Sequence, residues 1–440
     1  MTTVRPLALV ISTAPVGAEM RGVGIRALEL AKSLSGVADV TLAAIESGGT
    51  VADEVPVVTY DHHDPSELSE HIRRADLVVA QPQPPTVMRM LDRSGARLVF
   101  DLYDPEILEN LELFAARSGR KDRIWLTLTM DRLIAALQAG DHFLCANEAQ
   151  RDFWLGVMAG ARLMSVERHR ADPNVLSAIS IVPFGTDSSV AEIQPGEGPL
   201  ERFPALSPAD EIVLWNGGVW SWLDPGAAIR AVHEIRARRP GVRLVFMGGS
   251  SHPAAREATK GALELATELE LLDRVVFFND RWVPHRHRGS WLCQAHCAIS
   301  AHGEHLESRF AFRTRILDCF WAGLPAVVTS GDELAARVER DDLGAVARPG
   351  DVEGLARGIE VVLDRGKDHY ADRLARAAED YRWEAVTEPL RDYASRAALR
   401  SRDPGGRRAP LAVRARGVGY LVARRALNAA GKHDWPRGAD

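Results

Sequence analysis

Short apolar runs alternate with helix-length stretches along most of the chain, and the alternation starts twice. In the first half the runs 7–12, 40–45, 57–60, 77–80, 98–102, 143–146 and 179–183 read as strands. The stretches 24–34, 65–74, 86–92, 105–139 and 148–161 repeat apolar residues at helical spacing, the longest with a charged break near 118–122. After a Gly-, Pro- and Glu-rich segment, 185–210, that reads as a linker, strands 212–215, 244–247, 275–278, 298–300 and 326–329 alternate with helices at 227–238, 254–269, 287–293 and 352–363. A last helical region, 371–399, is interrupted at Pro389. Strands alternating with helices imply parallel sheets covered on both faces. Two such runs imply an α/β chain of two Rossmann-like domains facing a cleft, with ligands at the carboxyl ends of the strands. The expected boundaries are 1–190 and 195–385, followed by a crossover helix and basic tail over 386–440.

Composition narrows the function classes. The 440 residues are 46% hydrophobic and 26% charged, a soluble globular balance. No apolar run approaches the ~20 residues that span a bilayer. The amino-terminal stretch imitates a secretory signal, but its apolar part is short and a glycine loop follows, so it reads as a first strand of a cytoplasmic protein. Net charge is −6. Residues 400–440 hold ten Arg/Lys against three Asp, which leaves −13 on the rest. An acidic body excludes a general nucleic-acid face. Four cysteines form no disulfide framework, and CQAHC at 293–297 has neither haem nor paired-zinc spacing.

Four stretches carry chemistry. The loop after the first strand, TAPVGAEMRGVGIRALEL, keeps Gly17, Gly22 and Gly24 free of bulk and opens a helix at Arg26. It matches only the looser GxGxxA form, and Glu46 is the sole acidic candidate after strand two, so a dinucleotide fingerprint is weak. In DLYDPEILENLEL, Asp101 and Asp104 fall at a strand's carboxyl end. There Asp104 either faces a ligand or caps the helix begun by Pro105. In LWNGGVWSWLDP, the amides of Gly217 and Gly218 could reach phosphate oxygens. Trp220 and Trp222 either wall a site or pack under the loop, and Trp282 either stacks on a base or packs in the core. Finally, HGEHLESRFAFRTRILDCFWAGLPAVVTSGD (302–332) places Arg313 and Arg315 at a helix start. There Arg315 forms a surface pair with Asp318, or the two arginines with the helix amides form a seat for a diphosphate. HGEH lacks the spacing of a zinc helix, so no metal is expected.

Assembled, these blocks resemble a GT-B glycosyltransferase of the broad family-four group (glycosyl transferases group 1), closest to a subgroup of polysaccharide and cell-envelope clusters. The carriers, over roughly 5–395, are RGVGIRALELAKSL, DLYDPEILENLE, GDHFLCANEAQRDFWLG, VPFG, LWNGGVWSWLDP, ESRFAFRTRILDCFWAGLPAVVTSGD and the late RWEAV. The resemblance implies a donor in the carboxy-terminal domain, UDP- or GDP-sugar, and an acceptor in the amino-terminal one, either a glycan, a lipid-linked glycan or a secondary metabolite. It implies transfer with retention and no required metal. Of two family glutamates eight apart, Asp318 stands at the second position and Phe310 at the first. Carried over, Arg313, Arg315, Gly217, Gly218 and Thr314 would hold the diphosphate, Asp318 the ribose or base, and Glu307 the donor sugar. Trp220 and Trp282 complete the donor set. Asp104, Glu19, Gly22, Gly24 and Arg26 would face the acceptor. Glu19 or Asp104 would be the base if transfer inverts. A non-catalytic sugar-nucleotide binder is the alternative on the same fold, and an NAD-type oxidoreductase or epimerase a third reading. The tail 409–432 carries an apolar stripe flanked by arginines and is expected to touch an anionic membrane surface.

Overall fold

In the computed structural model the described residues are 5–17, 20–47, 54–115, 119–174, 176–248, 253–396 and 419. They divide into two units, Met1–Phe184 with Val386–Asp440, and Gly185–Ala385. The first holds β1 (Leu7–Ile11), β2 (Asp39–Ala44), β3 (Val57–Thr59), β4 (Leu77–Ala80), β5 (Arg97–Asp101), β6 (His142–Cys145) and β7 (Ile179–Ile181). The second holds β8 (Glu211–Trp215), β9 (Val242–Phe246), β10 (Val276–Phe278), β11 (Cys297–Ser300), β12 (Ala326–Thr329) and β13 (Gly344–Ala347). The sheets run β3-β2-β1-β4-β5-β6-β7 and β10-β9-β8-β11-β12-β13, and every neighbouring pair is parallel.

The strands read as unbroken apolar runs because helices cover both faces of each sheet. Side chains alternate across the first sheet: Leu9, Ile11, Val78, Ala80, Leu98 and Phe100 join one buried cluster. Ala8, Val10, Leu77, Val79, Val99 and Leu144 join the other. Strand order reverses between β1 and β4 in the first sheet and between β8 and β11 in the second. At such a reversal the flanking loops diverge to opposite faces and leave a crevice beyond the strand ends.

Two expectations, on the linker and on the number of elements, are corrected. Residues 185–210 are no free linker but are laid along the second unit. Thr186 N donates to Tyr381 O at 2.7 Å, Gln194 N to Ser290 Oγ at 2.8 Å, and Trp321 Nε1 to Ser189 O at 2.5 Å. Pro389 sits in the first turn of helix Glu388–Arg396, where no amide is needed, and the helical region is interrupted just before it at Thr387 and again between Ala371–Asp380 and Trp383–Val386. Helix Glu333–Arg340 and strand β13 are additional to the elements read from sequence. The helical region expected over 105–139 with a break near 118–122 is two helices, Glu106–Ala115 and Arg120–Ala139, with residues 116–118 between them outside the described set. The tail 409–432, Gly419 excepted, also lies outside the described residues. Among the described residues no helix is long and apolar enough to cross a membrane.

Helix Glu388–Arg396 docks on the first unit through Arg391, whose Nη1 donates to Ser33 Oγ at 3.1 Å, and through Tyr393, stacked on His142 at 4.2 Å and 15°. His142 is buried, its Nε2 2.9 Å from Ser180 Oγ, and burial pulls its pKa from 6.5 down to about 4. Between those values the unfolded ring binds a proton that the folded ring refuses, so stability falls as pH drops from about 6.5 to about 4. Urea midpoints of the wild type should therefore decline over that window more steeply than those of His142→Phe. Parallel curves would show that this ring does not set the acid limb.

Candidate functional site

At the reversal in the second sheet, the loops after β8 and β11 are stitched together. Asp224 N donates to Ala301 O at 2.9 Å, and Leu223 bridges His302. His305 Nε2, 2.9 Å from Trp222 O, must carry a proton, because a carbonyl only accepts. His305 Nδ1 is then an acceptor. It takes the Ser308 amide at 3.3 Å and caps helix Leu306–Phe310. The neighbouring Glu307 carboxylate lies 3.6 Å from Nδ1.

Arg313 and Arg315 flank the start of helix Thr314–Trp321, and their environments differ sharply. Arg313 is buried and ion-paired with Asp332, and it donates to Thr329 O at 2.6 Å and Ser300 O at 3.4 Å. Asp332 caps helix Glu333–Arg340 by accepting from Leu334 N and Ala335 N at 2.9 and 3.0 Å. Burial alone would raise its carboxyl pKa. Arg313 above all, with His302 and the cap amide of Ala335, outweighs burial and holds it below the ordinary value. Arg315 makes no ion pair among the described residues. It donates through Nη2 to Gly218 O at 3.2 Å and lies 5.6 Å from the Trp215 ring, and its Nη1 has no partner. Burial first, then Arg313, lowers its pKa to about 10, so it remains a cation at neutral pH.

Two buried acceptors flank this cation's strands. Asn216, at the end of β8, donates its Nδ2 to Arg315 O at 2.7 Å, which leaves Oδ1 bare. His302, after β11, has Nδ1 3.0 Å from Gly303 O, so that nitrogen carries the proton and Nε2 is the bare one, 3.6 Å from Asp332. Burial keeps the ring's pKa below its usual value, with Arg313 adding to that effect against Asp332. The cluster thus offers one unneutralised guanidinium, two bare acceptors and the free amides of a helix start. Such a set suits a ligand that joins negative charge to hydroxyl donors.

Residues 211–365, the span of that cluster, match the family model described as Glycosyl transferases group 1. Three solved structures superpose along nearly the whole chain. HepE from Anabaena in complex with UDP-glucose is 13% identical, covers 89% of this chain and 99% of its own, and gives a TM-score of 0.62. A glycosyltransferase from Rickettsia africae is 14% identical over 90% and 98%, with a TM-score of 0.61. WaaG, a glycosyltransferase involved in lipopolysaccharide biosynthesis, is 16% identical over 89% and 100%, at 0.57. The fold is GT-B. No curated protein is significantly similar to the chain in sequence.

On this GT-B chain several expected site residues are engaged inside their own units. Arg313 is ion-paired with Asp332. Asp318 is partly exposed and faces Arg288 at 3.1 Å, and Arg288 also holds Asp187 at 2.8 Å and lies 4.4 Å over Trp321. Arg26 is taken up within the first unit. It is 1% exposed, donates to both Asp101 oxygens at 2.6 and 2.8 Å, and reaches Val182 O and Pro183 O. Gly24 is required by packing, since a Cβ there would collide with the carbonyl of Pro15, while Gly22 lies beside Tyr103. Asp104 is half-buried three residues past Asp101, and Glu19 lies outside the described residues.

The remaining residues sit as follows. Gly217 has φ +120° and lies against Arg315, where a Cβ would be 3.5 Å from its Cζ. Gly218 presents its carbonyl rather than its amide to that guanidinium. Trp220 stacks on Trp222 at 5.0 Å. Trp282 is half-buried beyond edge strand β10, separated from β11 by β9 and β8. Thr314 opens its helix. Asn216, His302 and Asp332 lay in the quoted stretches, yet only their hydrogen bonds single them out. Among the described residues no group of three or more His, Cys, Asp or Glu is placed to hold a metal. A depression of about 820 Å³ lies at the opposite, amino ends of β8 and β9. Its arginines are already paired, Arg238 with Glu360 at 2.9 Å and Arg239 with Glu211 at 2.7 Å.

The two arginines should separate in a stability assay. Arg313→Met strands the Asp332 carboxylate and should lower the unfolding free energy by about 3–5 kcal/mol in urea. Arg315→Gln removes an uncompensated cation and should leave it unchanged or raised. Equal losses would mean that Arg315 has a structural counter-charge.

Proposed function

We propose that this chain transfers a glycosyl group from a nucleoside diphosphate sugar to a hydroxyl-bearing acceptor. The observation that carries the reading is Arg315, a guanidinium at a helix start with no anion of its own. In glycosyl transfer the bond between the anomeric carbon and the diphosphate oxygen breaks, and negative charge grows on the leaving group. A fixed cation and fixed amides stabilise that charge without reorganising. Arg315 and the amides at the start of helix Thr314–Trp321 fill this role. Asn216 Oδ1 and His302 Nε2 accept hydrogen bonds from hydroxyls of the bound donor, and the Nδ1 hydrogen bond to Gly303 O holds the His302 ring in place. The UDP-glucose bound to HepE favours a UDP-sugar as donor. The group 1 match and the GT-B neighbours favour transfer over a purely binding role. Retention of the anomeric configuration, and a glycan acceptor at a membrane reached through residues 409–432, complete the reading.

Calorimetric titration with UDP, GDP, uridine and NAD, followed by mass spectrometry of UDP-sugar reactions, tests it. The wild type should bind UDP much more tightly than uridine and ignore NAD. A charge-assisted contact to phosphate is worth about 1.5–3 kcal/mol, so Arg315→Gln should weaken UDP by roughly tenfold or more. Uridine binding should not change. Equal losses for both ligands, or preference for NAD, would reject the reading. Binding without any transferred or hydrolysed sugar would reject the catalytic part alone.

A further inference from the structure

Several buried polar atoms of the first unit lack a hydrogen-bond partner, and one of them, on Gln83, lies in the loop that follows a strand at the reversal of strand order. Gln83, in the loop after β4, is 1% exposed, and its Oε1 has no hydrogen-bond partner. The orientation of this amide is fixed. Its other end lies 3.0 Å from Gln81 O, which can only accept, so that end is the NH₂ and the bare atom is the carbonyl oxygen. A buried acceptor left without a donor costs about 1–3 kcal/mol. Gln83 bears that cost next to the reversal of strand order between β1 and β4, where a parallel sheet binds its ligand.

The hydroxyls near the two strand ends have already used their protons. Thr13 Oγ1, after β1, donates to Gln81 Oε1 at 3.2 Å and bridges the reversal. Ser12 Oγ donates to Ala14 O at 2.9 Å, and Tyr60 OH to Ser12 O at 2.9 Å. None of Ser12, Thr13, Gln81 or Gln83 is charged, and Arg26 and Asp101 nearby cancel one another. Among these described side chains a phosphate or carboxylate would meet a bare oxygen and no free cation. A buried ammonium would meet no anion among them. A neutral hydroxyl supplies the missing proton and brings no charge.

Resting on the glycosyltransferase reading, we propose that Gln83 is a specificity-determining contact for the acceptor, a neutral hydroxyl-rich group such as an uncharged sugar ring, with one hydroxyl donating to Gln83 Oε1. The amide positions that hydroxyl and takes no proton from it. The site therefore discriminates against phosphorylated and amino sugars.

The test uses the full chain with Gln83→Met, which keeps the length and removes the oxygen. Saturation-transfer NMR would be run with methyl glucoside, methyl galactoside and methyl mannoside against glucose 6-phosphate and glucosamine. At least one neutral glycoside should bind the wild type more tightly than either charged sugar. That binding should weaken at least tenfold in Gln83→Met, while UDP affinity stays unchanged. The melting temperature should not fall, because an unsatisfied polar atom has gone. If Gln83→Met fails to fold, Gln83→Asn, which withdraws the oxygen by one methylene, should show the same loss. Stronger binding of a charged sugar, equal glycoside binding by the variant, or no neutral glycoside bound at all would overturn the proposal. Failure of the wild type to bind UDP would instead overturn the donor reading.

Discussion

A buried guanidinium without an anion is costly; Asp332 supplies one to Arg313, and among the described residues Arg315 has none. Both arginines lie at the same helix start, two residues apart. Their chemistry diverges because the chain after β12 turns back and caps the next helix with an aspartate. That aspartate does three jobs: it caps two amides, neutralises Arg313 and faces His302 at 3.6 Å. Arg313 then acts as a strut between the ends of β11 and β12. Arg315 keeps its charge available, and the proposed leaving-group chemistry depends on that difference.

The first unit uses the same device. Arg26 reaches from its helix to the end of β5 and on to the residues after β7, and Asp101 closes the pair with two hydrogen bonds. A fully paired charge fixes the strand ends without presenting net charge to a ligand. What remains open at each reversal of strand order is then chemically specific. The second unit shows a cation with bare acceptors at Asn216 and His302. The first shows the bare oxygen of Gln83 among uncharged neighbours. One set suits a phosphorylated polyol, the other a neutral one.

The layered plan was legible because strands covered on both faces read as unbroken apolar runs, and ten-residue helical periods separate them. β13 escaped because Gly-Ala-Val-Ala carries little apolar bulk, and its glycine is there so that the edge strand can approach Ala326. The segment 185–210 looked like a tether because Gly, Pro and Glu are common in it. Its backbone hydrogen bonds to Tyr381 and Ser290 leave no trace in composition. The positions of the arginines could be read, but their partners could not: Asp101 lies 75 residues from Arg26, and Asp332 lies beyond a helix and a strand from Arg313. Bare atoms such as Gln83 Oε1 are invisible in sequence, since any glutamine could be satisfied.

The most direct test is a crystal structure of the chain with UDP. The account places a diphosphate oxygen about 3 Å from Arg315 Nη1 at the start of helix Thr314–Trp321, with Arg313 still paired to Asp332. A diphosphate gripped by Arg313 after release from Asp332, or one bound away from both β8 and β11, would contradict it.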